Sequence, residues 1–315
     1  MTPLEGVWAA SITPLAARTG VAQARTAQAA SAHAACAAPD TGRLKTHIDW
    51  LLENGCHGVV LFGTTGEGPS FTVKEKRRVL DELAGAGAPM ERLMVGSGCA
   101  ALPDTVELTR HAARVGAAGA LVLPPFYYKQ VTDDGLFAAM ASVLEGLGGD
   151  SIPVVLYHFP RMAGVGFSPA LVERLRAAYP EVVKGIKDSS GDHDNLTALC
   201  RLAPDISVFA GSEALLPYAL NEGGAGCISA TMNVTSRLVR ELHDGDNGSG
   251  ERVIRFRKAL DALPFVSTMK HLLAQHFGCA DWRAVRPPLL PLTPRQEQQL
   301  SQILDTIGTL PNFEN

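Results

Sequence analysis

The sequence predicts an α/β chain folded as a (β/α)8 barrel, a TIM barrel, with a C-terminal three-helix appendage. Three observations carry that prediction. Short, continuously apolar runs recur eight times; helix-length amphipathic segments lie between them; and the chain, at 315 residues, exceeds the roughly 250 that a barrel alone occupies. Runs that are apolar throughout, instead of alternating, are what strands covered on both faces look like. The same alternation would also suit an open, doubly wound sheet, which is the competing architecture.

The elements follow in order. The first run, Val7–Thr13, leads into a stretch that breaks the rhythm: residues 16–40, about half of them alanine, with few large apolar side chains. It reads as a weakly structured insertion in the first βα loop; a lid over the site is the sharper alternative. Leu44, Ile48, Leu51 and Leu52 then form an apolar stripe at helical spacing, stopped by Asn54-Gly55. The remaining runs are Gly58–Phe62, Leu93–Gly96, Gly119–Leu123, Val154–Tyr157, Val182–Lys187, Val208–Gly211 and Ala225–Ser229. Thr72-x-x-Glu75 and Asp104-x-x-Glu107 resemble capping boxes, and Ser168-Pro169 and Thr293-Pro294 place proline first in a helix after a capping hydroxyl. About 85 residues follow the eighth run, more than one closing helix needs. They are read as helices near 233–244, 250–277 and 294–308, which divides the chain into a barrel (1–232) and a helical domain (233–315).

Composition excludes several function classes. The chain is 46% hydrophobic and 19% charged with a net charge of -4, so it lacks the basic balance of an electrostatic nucleic-acid binder. No apolar run of about 18 residues crosses a membrane, and Met1 to Gly6 shows no secretory leader pattern. Six scattered cysteines without a C-x-x-C pair read as reduced thiols, which points to the cytoplasm. Nine dispersed histidines and the lack of H-E-x-x-H predict no metal. There is no P-loop and no G-x-S-x-G elbow, and Gly63-Thr64-Thr65-Gly66-Glu67-Gly68 has the wrong glycine spacing for a dinucleotide. The turns Gly211-Ser212-Glu213 and Ser229-Ala230-Thr231 are not phosphate grips, so an unphosphorylated substrate is expected.

The positive evidence lies at the C-terminal strand ends, where barrels keep their chemistry. There the sequence places Thr64 and Thr65, Tyr157, Lys187, Ser212 with Glu213, and Ser229. Strict alternation would put Val183, Gly185 and Lys187 on the barrel-interior face and Lys184 and Ile186 on the other. A lysine in apolar surroundings has its ammonium form disfavoured, which frees an amine to attack a carbonyl. A salt-bridged rim lysine is the plainer alternative. Tyr157 on the neighbouring strand is within reach of Lys187 and could relay protons; otherwise it is a core tyrosine. The hydroxyls and backbone N–H groups of Thr64-Thr65 suit a carboxylate, although an ordinary βα turn would look the same.

Three segments in order, Gly63-Thr64-Thr65-Gly66-Glu67, Leu156-Tyr157-His158-Phe159-Pro160 and Gly185-Ile186-Lys187-Asp188-Ser189-Ser190-Gly191-Asp192, resemble the dihydrodipicolinate synthase / N-acetylneuraminate lyase family of pyruvate-dependent class I aldolases. The resemblance runs from about Gly6 to the C-terminal helices and implies a barrel with a helical C-terminal domain. It implies that Lys187 forms an imine with a keto acid, that Tyr157 shuttles protons, that Thr64 links Tyr157 into a hydroxyl relay and that Thr65 binds the keto-acid carboxylate. The backbone carbonyl of Ile228 would face the bound keto acid. In Pro125-Phe126-Tyr127-Tyr128 the resemblance marks Tyr127, or its neighbour Tyr128, as reaching across a subunit contact, so a tetramer or dimer is implied, without metal or organic cofactor.

Departures from the family pattern bear on the substrate. Family synthases that make the lysine precursor carry an arginine five residues after the tyrosine to grip the carboxylate of aspartate semialdehyde. That position here is Met162, with Arg161 one place earlier. Glu213 falls where sugar-acid lyases of the family keep an acidic residue for substrate hydroxyls, with Ser189, Ser212 and Ser229 as further partners. The resemblance therefore implies cleavage of a 2-keto-3-deoxy or 4-hydroxy-2-keto acid to pyruvate and an aldehyde. Synthesis of 4-hydroxy-tetrahydrodipicolinate and dehydration of a keto-deoxy sugar acid are the alternatives. A keto-acid or sugar-acid sensor is the reading from outside enzymology.

Overall fold

The structure, a computed structural model, describes residues 4–16, 37–150, 152–202 and 205–307. Eight parallel strands close into a barrel in sequence order: β1 (Gly6–Ala10), β2 (Gly58–Leu61), β3 (Leu93–Gly96), β4 (Gly119–Val122), β5 (Val154–His158), β6 (Val183–Asp188), β7 (Ser207–Ala210) and β8 (Gly226–Ser229). Between them run α1 (Thr41–Glu53), α2 (Val73–Gly85), α3 (Leu102–Arg114), α4 (Asp133–Gly146), α5 (Pro169–Ala178), α6 (His193–Leu202) and α7 (Leu216–Asn221), and α8 (Met232–His243) follows β8. The closed sheet excludes the open, doubly wound alternative.

Both strand faces are apolar because both are covered. Trp8, Val60, Met94, Leu121, Val155, Phe209 and Ile228 fill the barrel, while Val7, Val59, Leu93, Val95, Val154 and Leu156 pack under the helices. The alternation slips in β6. Val154 pairs with Val183 but Val155 pairs with Gly185, so Lys184 is an extra residue opposite nothing. Val183 therefore joins Ile186 in the helix-facing core instead of sharing a face with Lys187, and Lys184 turns out to donate to the Pro180 carbonyl at 2.6 Å. Lys187 keeps its inward place because the bulge lies before it.

Start signals held at Thr72, which forms a full capping box with Glu75, and at Ser168, whose hydroxyl accepts from Leu171 N at 3.1 Å. Asp104 is not a cap. The helix begins earlier, at Leu102 with Pro103 in its first turn, and Glu107 turns outward to pair with Arg77 at 2.6 Å. The alanine-rich stretch falls, apart from Ala16 and residues 37–40, outside the described residues. Its two ends meet: Leu15 bridges Pro39, and Ala16 N donates to Ala38 O at 2.8 Å.

The C-terminal segment also departs from the sequence reading. The helix expected over 250–277 is two, α9 (Asn247–Ala259) and α10 (Phe265–His276). Pro264 separates them: it lacks an N–H and disfavours helical backbone at Leu263, which is extended. The helix counted first in the appendage, α8, lays Leu238, Val239 and Leu242 into the barrel core and serves as the eighth barrel helix. The appendage consists of α9, α10 and α11 (Pro294–Ile307), whose own core holds Phe256, Met269, Leu272, Trp282 and Leu300.

Where this second core meets the barrel sits His47, fully buried. Its Nε2 donates to Asn233 Oδ1 at 2.8 Å, and its ring packs against Trp50, Phe277 and Trp282. Nδ1, the atom a second proton would occupy, has no acceptor among the described residues. Burial pushes the His47 pKa down to about 4. Between about pH 6.5 and 4 the unfolded chain then binds the proton that the folded chain refuses. The stability this gives is complete above pH 6.5 and is lost as pH falls towards 4, by about 3 kcal/mol. Chemical denaturation at pH 7 and 4.5 should show that loss, and His47→Phe should flatten the profile across this window. An equally steep profile in the variant would assign the effect to other groups.

Candidate active site

The C-terminal strand ends surround a cavity of about 520 Å3. Its floor is built by β5 and β6. Tyr157 and Lys187 are register partners on these strands, which brings the Lys187 ammonium to 4.4 Å from the centre of the Tyr157 ring. Lys187 is only 5% exposed, beside Phe209 on β7. Phe159 stacks on Tyr157 and limits its tilt. The phenol reaches the Thr64 hydroxyl at 3.4 Å.

Thr64 and Thr65 owe their position to a strained turn. Phe62 and Glu67, both non-glycine, adopt φ of 56° on either side of it. Gly68 is required where it stands, since a Cβ there would come within 2.0 Å of the Phe62 carbonyl. The turn is held from outside the barrel. The Glu67 carboxylate, buried, pairs with the Lys270 ammonium on α10 and accepts from Arg286 N at 2.7 Å. Lys270 also donates to Ala284 O at 2.6 Å. Arg286 continues the clamp, donating to Ala37 O and Ser70 O and lying over the Phe71 ring. The sequence reading quoted Glu67 only within its glycine-threonine motif, without a role, and did not single out Lys270 or Arg286; a buried lysine inside an apolar helix was the available signal.

On β6, Asp188 follows Lys187 but turns away from the chemistry. Its carboxylate accepts from Ser190 N at 2.8 Å and from Asn195 Nδ2 at 2.9 Å, which shapes the loop carrying Ser189. His158 packs beneath, its Nδ1 accepting from Phe167 N at 2.9 Å; burial lowers its pKa, against the pull of the Asp188 charge.

Thr64, Thr65, Tyr157, Lys187, Ser189, Ser212 and Arg161 all line the cavity, and Met162 lines it beside Arg161. Four other residues singled out in the sequence do not. Glu213, expected at substrate hydroxyls, opens a tight turn after the extended Ser212 and is fully buried. Its two oxygens are taken by the hydroxyls of Ser229 and Thr231, so neither it nor Ser229 faces the cavity. Burial raises the Glu213 pKa, opposed by the nearby Arg257 charge. Ile228 lies in the barrel interior against Trp8. Tyr127 is 75% exposed in the loop after β4, with Tyr128 beside it, and does not reach the cavity of its own chain. The opposite wall was unforeseen: α9, the turn after it and the first residue of α10 supply Arg257, Lys258, Asp261 and Phe265. Among the described residues no three His, Cys, Asp or Glu side chains gather as a metal would require, and no helix is long and apolar enough to cross a membrane.

The sequence pattern of the Dihydrodipicolinate synthetase family matches residues 18–307. An uncharacterized DapA-like lyase of Chloroflexus aurantiacus is 34% identical over 275 residues, covering 85% of this chain and 91% of that protein. The 4-hydroxy-tetrahydrodipicolinate synthase of Thermus thermophilus is 32% identical over 281 residues, covering 86% and 92%. The crystal structure of dihydrodipicolinate synthase from Agrobacterium tumefaciens superposes with a TM-score of 0.86 at 30% identity, covering 96% of this chain and 99% of that one.

Proposed function

The chain belongs to the dihydrodipicolinate synthetase family and is a pyruvate-dependent class I aldolase or lyase; we propose that it cleaves an unphosphorylated 2-keto-3-deoxy or 4-hydroxy-2-keto acid through an imine on Lys187. The observation that carries this reading is the pairing of Lys187 with Tyr157 at one strand-end level, with the Thr64 hydroxyl 3.4 Å from the phenol. The Lys187 amine attacks the 2-keto carbon, and loss of water gives an iminium. Tyr157 takes the proton of the 4-hydroxyl as the C3–C4 bond breaks; the aldehyde leaves and the bonding electrons pass into an enamine. Protonation at C3 and hydrolysis free pyruvate and restore the amine. The iminium is itself the electron sink, so the proposal calls for no metal or organic cofactor. Thr65 would hold the carboxylate next to the keto group, and Tyr127 would complete the relay of a neighbouring subunit in a dimer or tetramer.

A second reading, synthesis of 4-hydroxy-tetrahydrodipicolinate from pyruvate and aspartate semialdehyde, is favoured by the named activity of the Thermus relative. Met162 speaks against it, because a thioether makes no ion pair with the semialdehyde carboxylate; Arg161 lines the cavity one place earlier. Loss of water from the same imine would make the enzyme a dehydratase.

The test is borohydride reduction with and without pyruvate, followed by intact-mass and peptide analysis. A pyruvate-dependent adduct on Lys187 is expected; its absence from folded protein would overturn the imine reading. Tyr157→Phe should still be trapped by borohydride while its turnover falls by about 100- to 10,000-fold. Full turnover in that variant would remove Tyr157 from the proton path.

A further inference from the structure

We infer that Arg257, on the C-terminal helix α9, is a specificity-determining residue that reads a carboxylate at the far end of the substrate chain. The inference rests on the proposed placement of the 2-keto end at Lys187 and concerns the opposite wall of the same cavity.

The cavity is far larger than a three-carbon keto acid needs, and its outer wall is cationic. Arg257, Lys258 and Arg161 line it. The anionic groups beside them are few among the described residues: the Asp188 carboxylate is occupied by Ser190 N and Asn195, that of Glu213, near Arg257, by the hydroxyls of Ser229 and Thr231, and Asp261 is largely in solvent. Among the three cations, Arg257 is the one held in place. Its guanidinium stacks 4.4 Å over the Phe265 ring, and its side chain is 21% exposed. A stacked guanidinium keeps its plane and loses little freedom on binding. Its nearest salt-bridge partner among the described residues, Asp261, stands 3.9 Å from Nε, beyond hydrogen-bonding distance, and the Glu213 carboxylate, whose charge it also feels, has both oxygens taken by Ser229 and Thr231. A positioned, half-buried guanidinium with open donors fits the flat, two-oxygen face of a carboxylate. Lys258 and Arg161 are exposed and add field without geometry.

Met162 acquires a meaning in this light. The arginine expected on the β5 loop for a distal carboxylate is missing, and a cation from α9 faces the same cavity. The electrophile, or the aldehyde released in cleavage, would then carry its own carboxylate.

The experiment compares keto acids that differ only at the far end: 2-oxoadipate against 2-oxohexanoate, and 2-oxoglutarate against 2-oxopentanoate. Binding is measured by calorimetry, and imine formation by borohydride trapping with each acid and with pyruvate. For at least one chain length the wild type should bind the diacid about 10- to 100-fold more tightly than its neutral-ended partner. Arg257→Gln should bring that ratio close to one, and Arg257→Lys should restore part of it. Equal binding of both acids at both lengths overturns the proposal, as does a ratio that survives Arg257→Gln. A ratio lost in Arg161→Gln but kept in Arg257→Gln moves the role to Arg161 and also overturns it. If no acid is trapped on Lys187 while the calorimetric ratio stands and depends on Arg257, the imine reading fails and the carboxylate site remains.

Discussion

Replacing Lys187 by methionine should lower turnover by about 10,000-fold or more while leaving the protein folded. Methionine matches the unbranched stem and fits the apolar surroundings set by Phe209 and the Tyr157 ring. Two effects on stability oppose each other. The cation–π contact with Tyr157 is lost, worth about 1 kcal/mol, but a nearly buried ammonium no longer has to be desolvated. The melting temperature should therefore move by only a few degrees, and the lost activity reports chemistry. Lys187→Arg should be equally inactive, because a guanidinium keeps the charge and cannot form the imine. Steady-state kinetics with borohydride trapping checks both variants. Retention of more than about 1% of turnover in either would place the nucleophile elsewhere.

The legible part of this molecule is the part set by local pattern. Buried strands announce themselves as apolar runs, and a lysine and a tyrosine that close neighbouring runs are paired by the barrel itself. The bulge at Lys184 was not legible, because one extra residue alters the facing of Val183 without altering the apolar run. It did no harm to the site only because it precedes Gly185. Pro264 was legible in principle: a proline in the middle of a helical stretch marks a boundary, and Leu263 obeys it. Glu213 shows the opposite limit. Its place in the chain is right for the site, but whether a carboxylate faces a cavity or turns back depends on partners such as Thr231, many residues away. Arg257 illustrates the same limit from the other side, since no periodicity ties a helix of the appendage to the mouth of the barrel.

The larger structural effect is expected at Lys270. Lys270→Met should destabilise the protein by about 3 to 5 kcal/mol, a large share of the ~5 to 15 kcal/mol available to a folded domain. The pair it forms with Glu67 has no solvent contact on either side chain. Removing the ammonium leaves a buried carboxylate whose remaining bond is to Arg286 N, and water cannot make up the difference. The loss is not additive with that of its partner. Glu67→Gln in the same chain removes the stranded charge, so the double variant should be more stable than Lys270→Met alone, which a double-mutant cycle by denaturant titration would measure. The functional consequence follows from position. Glu67 holds the strained turn that presents Thr64 and Thr65, so the double variant, if folded, should bind keto acid more weakly while still forming the imine on Lys187. A loosened turn would raise the concentration of pyruvate needed for half-maximal trapping without abolishing the adduct. Unchanged stability in Lys270→Met would mean that the carboxylate finds other partners, and the clamp between appendage and barrel would then rest on Arg286, which reaches Ala37, Ser70 and Glu75 from the same segment.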